Sequence, residues 1–171
     1  MKRHFITIAI CILMASHSIG QNSTEVPSLK ELVTWPGMTY GKLEAALLKF
    51  RFTFDEKKTD YWTKHISYIF LRQTPQGDSS VTERVVLKPG KDGSFSIEVF
   101  CIKDLYTLYA AQLSASNFKT ADCKREVGDN VKQYCYSNDS CFLTITHKTT
   151  KSENGQVVNS YSAFIYRIST N

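Results

Sequence analysis

Residues 141–168 read CFLTITHKTTKSENGQVVNSYSAFIYRI. The stretch divides into two alternating runs around Asn154-Gly155. From Cys141 to Thr150, Phe142, Thr144, Thr146 and Lys148 fall on one side, and Leu143, Ile145 and His147 on the other. A period of two is the signature of a half-buried strand. From Val157 to Ile168 the alternation returns, with Tyr161, Ala163 and Ile165 against Phe164, Tyr166 and Ile168. Asn-Gly tolerates the positive φ of a tight hairpin turn. The stretch is therefore a predicted β-hairpin, and it sets the pattern for the rest of the chain.

Working outward, Phe95, Ile97, Val99 and Cys101 alternate with Ser94, Ser96, Glu98 and Phe100, just after the turn signal Pro89–Gly93. Val81 to Lys88 and Tyr61 to Arg72 are rich in β-branched and aromatic residues, and Thr74–Asp78 breaks the chain between them. Val131 to Tyr136 is a further short strand. Leu105 to Leu113 (LYTLYAAQL) has strand length, although its alanines leave a helix open. Near the start, Ser28-Leu29-Lys30-Glu31 is a capping box, and Pro36 ends the short helix it opens. Tyr40, Leu43, Leu47 and Phe50 recur near a helical period, whereas Phe50, Phe52 and Phe54 alternate. A helical start passing into a strand near Leu47 fits both.

The count is about eight strands, most joined by short turns, which makes the chain mainly β. An antiparallel meander of this size closes into an eight-stranded up-and-down barrel with a short N-terminal helix, and such a barrel holds one small ligand. The alternative is an α+β arrangement, a single sheet curled around the Tyr40–Phe50 helix.

The chain has 171 residues and a formal charge of +5. Lys2 and Arg3, the apolar run Phe5–Ala15 and the small residues Ser18 and Gly20 form an export signal over residues 1–20. The apolar run is shorter than the roughly twenty residues a membrane span needs. Residues 21–171 then form one domain with no membrane span. Without Lys2 and Arg3 the balance is nineteen basic against sixteen acidic residues, spread with no basic block. Nucleic acid is therefore not expected as a partner. The expected protein is secreted, monomeric, free of cofactors and not an enzyme.

Losing Cys11 with the signal leaves Cys101, Cys123, Cys135 and Cys141. An even set in an oxidising compartment reads as two disulfides. Three pairings are possible, and joining chain neighbours favours Cys101–Cys123 with Cys135–Cys141. Their intervals of 22, 12 and 6 residues do not resemble a zinc site, and no metal is expected. Asn22 and Asn138 are glycosylation acceptors by their Asn-x-Ser/Thr pattern.

Catalytic motifs are missing. Gly37–Leu43 is one residue short of a phosphate loop, and Leu43 stands where a hydroxyl is needed. His65 and His147 lie within predicted strands, where a surface or hydrogen-bonded role is the ordinary one. The remaining chemical signal is aromatic. Trp62, Tyr68, Tyr106, Tyr109 and Tyr166 are candidates to line a ligand cavity, because tyrosine packs its ring while offering a hydroxyl. Glu83 and Glu98 are the strand carboxylates considered for a site. By parity with Phe95 and Ile97, Glu98 is expected to face solvent; facing a cavity, it would hold a cationic amine.

Leu29–Tyr40 (LKELVTWPGMTY), Phe118–Cys123 and Ser140–Ile145, with the export signal and strand number, resemble secreted lipocalins, in particular the divergent salivary lipocalins of ticks. That resemblance implies a small hydrophobic or amine ligand, such as a biogenic amine or lipid mediator, held in a barrel cavity at a host interface. The chain departs from the family in following Trp35 with Gly37, and in having no cysteine between Tyr61 and Arg72. One helix followed by strands with late cysteines also looks like a cystatin-type protease inhibitor, or another module that binds an extracellular protein. The Gln-x-Val-x-Gly loop of cystatins is missing.

Overall fold

The capping box forms as the sequence predicts. Ser28 accepts the Glu31 amide at 3.3 Å, and Glu31 accepts the Ser28 amide at 2.9 Å. This starts helix α1 (Leu29–Thr34), and a 3-10 turn (Trp35–Gly37) carrying Pro36 follows. Helix α2 spans Tyr40–Lys49. It ends where Arg51 takes a left-handed φ of 63° and the Phe52 amide reaches back to the Leu47 carbonyl. The Phe50–Phe52–Phe54 alternation thus begins in a helix cap, and the strand proper starts at Thr53 rather than near Leu47.

Four strands follow: β1 (Thr53–Thr59), β2 (Ile66–Gln76), β3 (Ser79–Pro89) and β4 (Phe95–Cys101). Leu105–Leu113 is helix α3, not a strand. Asp104 decides this by accepting the Tyr106 and Thr107 amides at 3.0 and 3.2 Å. Leu105, Tyr109 and Leu113, four residues apart, form its buried stripe. A two-residue strand β5 (Lys119–Thr120) leads to β6 (Val131–Ser137), β7 (Cys141–Lys151) and β8 (Val157–Arg167). The structure, a computed structural model, describes residues 26–77, 79–123, 128–152 and 154–168. The expected export signal, residues 1–20, and Asn22 lie outside the described residues.

The protein is mainly β, with one antiparallel eight-stranded sheet in the order β1-β2-β3-β4-β8-β7-β6-β5. Two four-stranded meanders meet where β4 pairs with β8. The expected barrel does not form, because an up-and-down barrel must pair its first strand with its last. β8 is instead held between β4 and β7, and β1 and β5 remain edges. The crossover through α3 makes this order possible, since it carries the chain from β4 to the far side of the sheet.

The three described helices cover one face. Leu29, Leu32, Trp35, Leu43, Leu47, Leu105 and Tyr109 pack there against Phe70, Leu87, Ile97, Leu143 and Ile165. The Tyr109 hydroxyl donates to the Pro27 carbonyl at 2.9 Å, and Gln112 accepts the Leu29 amide at 2.9 Å. These bonds fasten the N-terminal segment to α3.

One ion pair lies inside this layer. Glu83 is 1% exposed and accepts from the Arg72 guanidinium, the Thr74 hydroxyl and the Ile102 amide. Arg72 also donates to the Phe50 carbonyl at 2.9 Å and lies 4.4 Å over the Phe52 ring. The group ties the end of α2, both central strands of the first meander and the exit of β4 to one point.

The expected disulfide pairing is corrected. Cys123 is bonded to Cys135, with Cα atoms 5.4 Å apart, while Cys101 and Cys141 are buried thiols. Cys101 sits opposite Tyr161 and Cys141 opposite Arg167, so along β8 they are about 20 Å apart. No disulfide spans that distance. Burial pushes the Cys101 thiol up to about 12 and raises Cys141 as well.

Candidate functional site

The uncovered face of the sheet holds the candidate site. Register pairs place Glu98 opposite Phe164, Phe164 opposite Thr144, and Phe142 opposite Tyr166. Strand alternation makes this face the complement of the core: Ile97, Val99, Ala163, Ile165, Leu143 and Ile145 point to the helices, so their neighbours point away. The result is a cleft of about 380 Å³ across β4, β8, β7 and β6. That size suits a small organic molecule.

Three rings form a continuous wall. Phe142 stacks on Tyr166 with centroids 5.5 Å apart, and Phe164 leans on Tyr166 at 5.7 Å. Glu98 stands at the same cleft beside Phe164, and Lys88 lines it as well. Glu98 makes no ion pair or hydrogen bond with any described residue. Ser162, Thr144 and Thr146 add hydroxyls. Gln133 donates to the Thr146 hydroxyl at 3.4 Å. Cys135 lines the cleft too, and its sulfur is bonded to Cys123.

Chemically, aromatic faces beside an uncommitted carboxylate favour a cation with an apolar body. The ring quadrupole attracts the charge, and the carboxylate accepts its N–H groups. Among the described residues no cluster of His, Cys, Asp and Glu has the makings of a metal site.

Of the sequence-predicted cavity residues, only Tyr166 lines this cleft. Trp62 is 86% exposed at the tip of the β1–β2 hairpin. Asp60 builds that tip by accepting the Trp62 and Thr63 amides. Tyr68 lies on the covered face against Tyr40, with centroids 4.8 Å apart. Tyr106 of α3 stacks on Tyr134 of β6, with centroids 4.1 Å apart. Tyr109 is core. The expectation for all four rests on a barrel interior, which does not form.

Asn138 shapes the β6–β7 turn. Its side-chain oxygen accepts the Ser140 and Cys141 amides at 2.9 and 2.8 Å, and its amide donates to the Ser116 carbonyl at 3.1 Å. His147 stacks on Tyr161 and contacts Asn159, and the His65 carbonyl closes the hairpin tip by accepting the Asp60 amide. Phe142 and Phe164, strand aromatics that the sequence offers for core or pocket alike and that are not among the five candidates, line the cleft. The signal is present, since parity puts 142, 144 and 146 in phase with 162, 164 and 166.

Among the described residues no helix is long and apolar enough to cross a membrane. Comparison with protein-family models, curated proteins and solved structures finds no match to the chain.

Proposed function

We propose that the protein is an exported binding protein that captures a small organic amine with an apolar body in the cleft on the open face of its sheet. The observation carrying this reading is Glu98, a carboxylate with no partner among the described residues, set beside the Phe142–Tyr166–Phe164 wall. The ammonium group sits against Glu98, the apolar body lies along the rings, and the Ser162, Thr144 and Thr146 hydroxyls orient polar substituents. This keeps the ligand class that the lipocalin resemblance implies while moving its site from a barrel interior to an open groove. The export signal and the Cys123–Cys135 bond suit an extracellular setting.

The test is calorimetric titration with a primary aryl-ethylamine and, separately, with decanoic acid. The amine is expected to bind saturably. Glu98→Gln is expected to weaken it by about 10- to 100-fold, the range for losing a charge-assisted hydrogen bond. Equal affinity in wild type and Glu98→Gln would overturn the amine reading. Binding of the fatty acid alone would place the protein among carriers of apolar ligands.

A further inference from the structure

A second opening lies beyond the Cys101 end of β4, where the sheet is missing part of a strand. β4 ends at Cys101, opposite Tyr161 of β8, and its pairing with β3 ends one residue earlier, at Phe100 opposite Arg84. Both neighbours run on. Residues 79–83 of β3 continue along β2, and residues 157–160 of β8 continue along β7. On their inner sides these two segments pair with no described residue.

A cavity of about 650 Å³ occupies the gap and is lined from both hairpins. Phe100 and Ile102 close its inner end, Val81 and Thr82 form one side, and Val157 and Val158 the other. Val157 is 60% exposed and Val158 47% exposed, although both belong to a regular strand. Among the described residues, no side chain lining the cavity carries a charge.

Two strand edges facing one gap in the line of β4 present alternating amides and carbonyls from both sides. Adjacent strands lie about 4.8 Å apart, so one extended backbone between them would satisfy both edges. We propose that this lane receives an extended, uncharged segment of another polypeptide, four or five residues long, which continues β4 and bonds to β3 and β8 together. An ordinary edge strand recruits a partner through one side only; this lane uses both. The absence of charge selects a neutral segment with β-branched or small side chains, which suit a pleated surface between valines. The lane is separate from the Glu98 cleft and stands or falls independently of amine binding.

The test uses the full chain with its disulfide intact and the probe peptide acetyl-Thr-Val-Thr-Val-Thr-amide. Amide resonances of residues 79–83 and 157–160 are expected to shift saturably and to gain protection from hydrogen exchange. Two N-methylated probes separate the modes. One is methylated at its second and fourth residues, the other at its first, third and fifth. A strand bonded on both sides loses at least tenfold in affinity with either probe. Loss with only one of them would mean ordinary one-sided edge addition and would overturn the lane. Undiminished binding of both would reduce the feature to an apolar pocket, also overturning it. Self-association protecting the same amides without peptide would make a second copy of the chain the occupant and refute the proposal. Val158→Arg, at an exposed position, is expected to weaken the peptide by at least tenfold while leaving the circular dichroism spectrum unchanged.

Discussion

Replacing Glu83 by Gln removes one charge from a buried pair and leaves the volume almost unchanged. Both oxygens of Glu83 are used as acceptors, one by the guanidinium and the Thr74 hydroxyl, the other by the Ile102 amide. The substituted amide would keep one acceptor and turn an NH₂ group toward donors. Arg72 would retain the Phe50 carbonyl and the Phe52 ring but lose its counter-charge while only 5% exposed. Breaking a buried pair from one side costs about 3–5 kcal/mol. A domain of this kind has about 5–15 kcal/mol in all. With a urea slope of about 2 kcal/mol per molar, the unfolding midpoint should fall by about 2 M. The assay is urea unfolding followed by circular dichroism, with the slope checked for constancy. A fall below about 0.5 M would refute the claim that this charge is held without water. The double replacement Arg72→Met with Glu83→Leu removes both charges and should recover most of the loss, since apolar substitutes for a buried pair are often neutral or better. A double variant as weak as the single one would assign the cost to packing.

Three further predictions address the thiols, a turn and the two tryptophans. Cys101 is harder to ionise folded than unfolded, its value moving from an ordinary 9.0 to about 12, so its contribution is whole below pH 9 and is lost as pH rises toward 12. Unfolding titrations between pH 9 and 10 should show stability falling by up to about 1.4 kcal/mol per pH unit, and Cys101→Ala should flatten that slope. Asn138→Ala removes the acceptor for the Ser140 and Cys141 amides and should cost about 1–2 kcal/mol, read from the urea midpoint. Trp35→Ala opens a cavity in the covered face and should cost about 3–5 kcal/mol, whereas Trp62→Ala at the exposed tip should change stability by less than about 0.5 kcal/mol in the same measurement.

Local chemistry made much of the fold readable. The capping box at Ser28, the turn at Pro89–Gly93 and the hairpin at Asn154-Gly155 depend on residues close in sequence, and each forms. Leu105–Leu113 misled because its apolar content suits either structure. The deciding residue was Asp104, one position outside the run, whose carboxylate caps a helix. The strand number came out near eight partly because that lost strand is matched by the two-residue β5. Strand order was not readable, because the β4–β8 pairing joins residues sixty or more positions apart and no local signal specifies it. The cleft was hidden for the same reason. Glu98 was correctly placed on the face away from Phe95 and Ile97, but its aromatic neighbours arrive only with β8. The disulfide escaped too, since chain proximity favours Cys135–Cys141 while the two ends of β6 and β7 point those side chains to opposite faces.

The central position of β8 also fixes a timetable. β4 is complete at residue 101, but its second neighbour is not complete until residue 167. At synthesis rates of about 5–20 residues per second, the first meander waits roughly 3–13 s with the flank of β4 unpaired. During that interval Ile97 and Val99 lack their same-face neighbours Ile165 and Ala163 in the sheet. The growing chain thus carries an adhesive edge until β8 has been made. A chain lacking β8 would make that transient condition permanent.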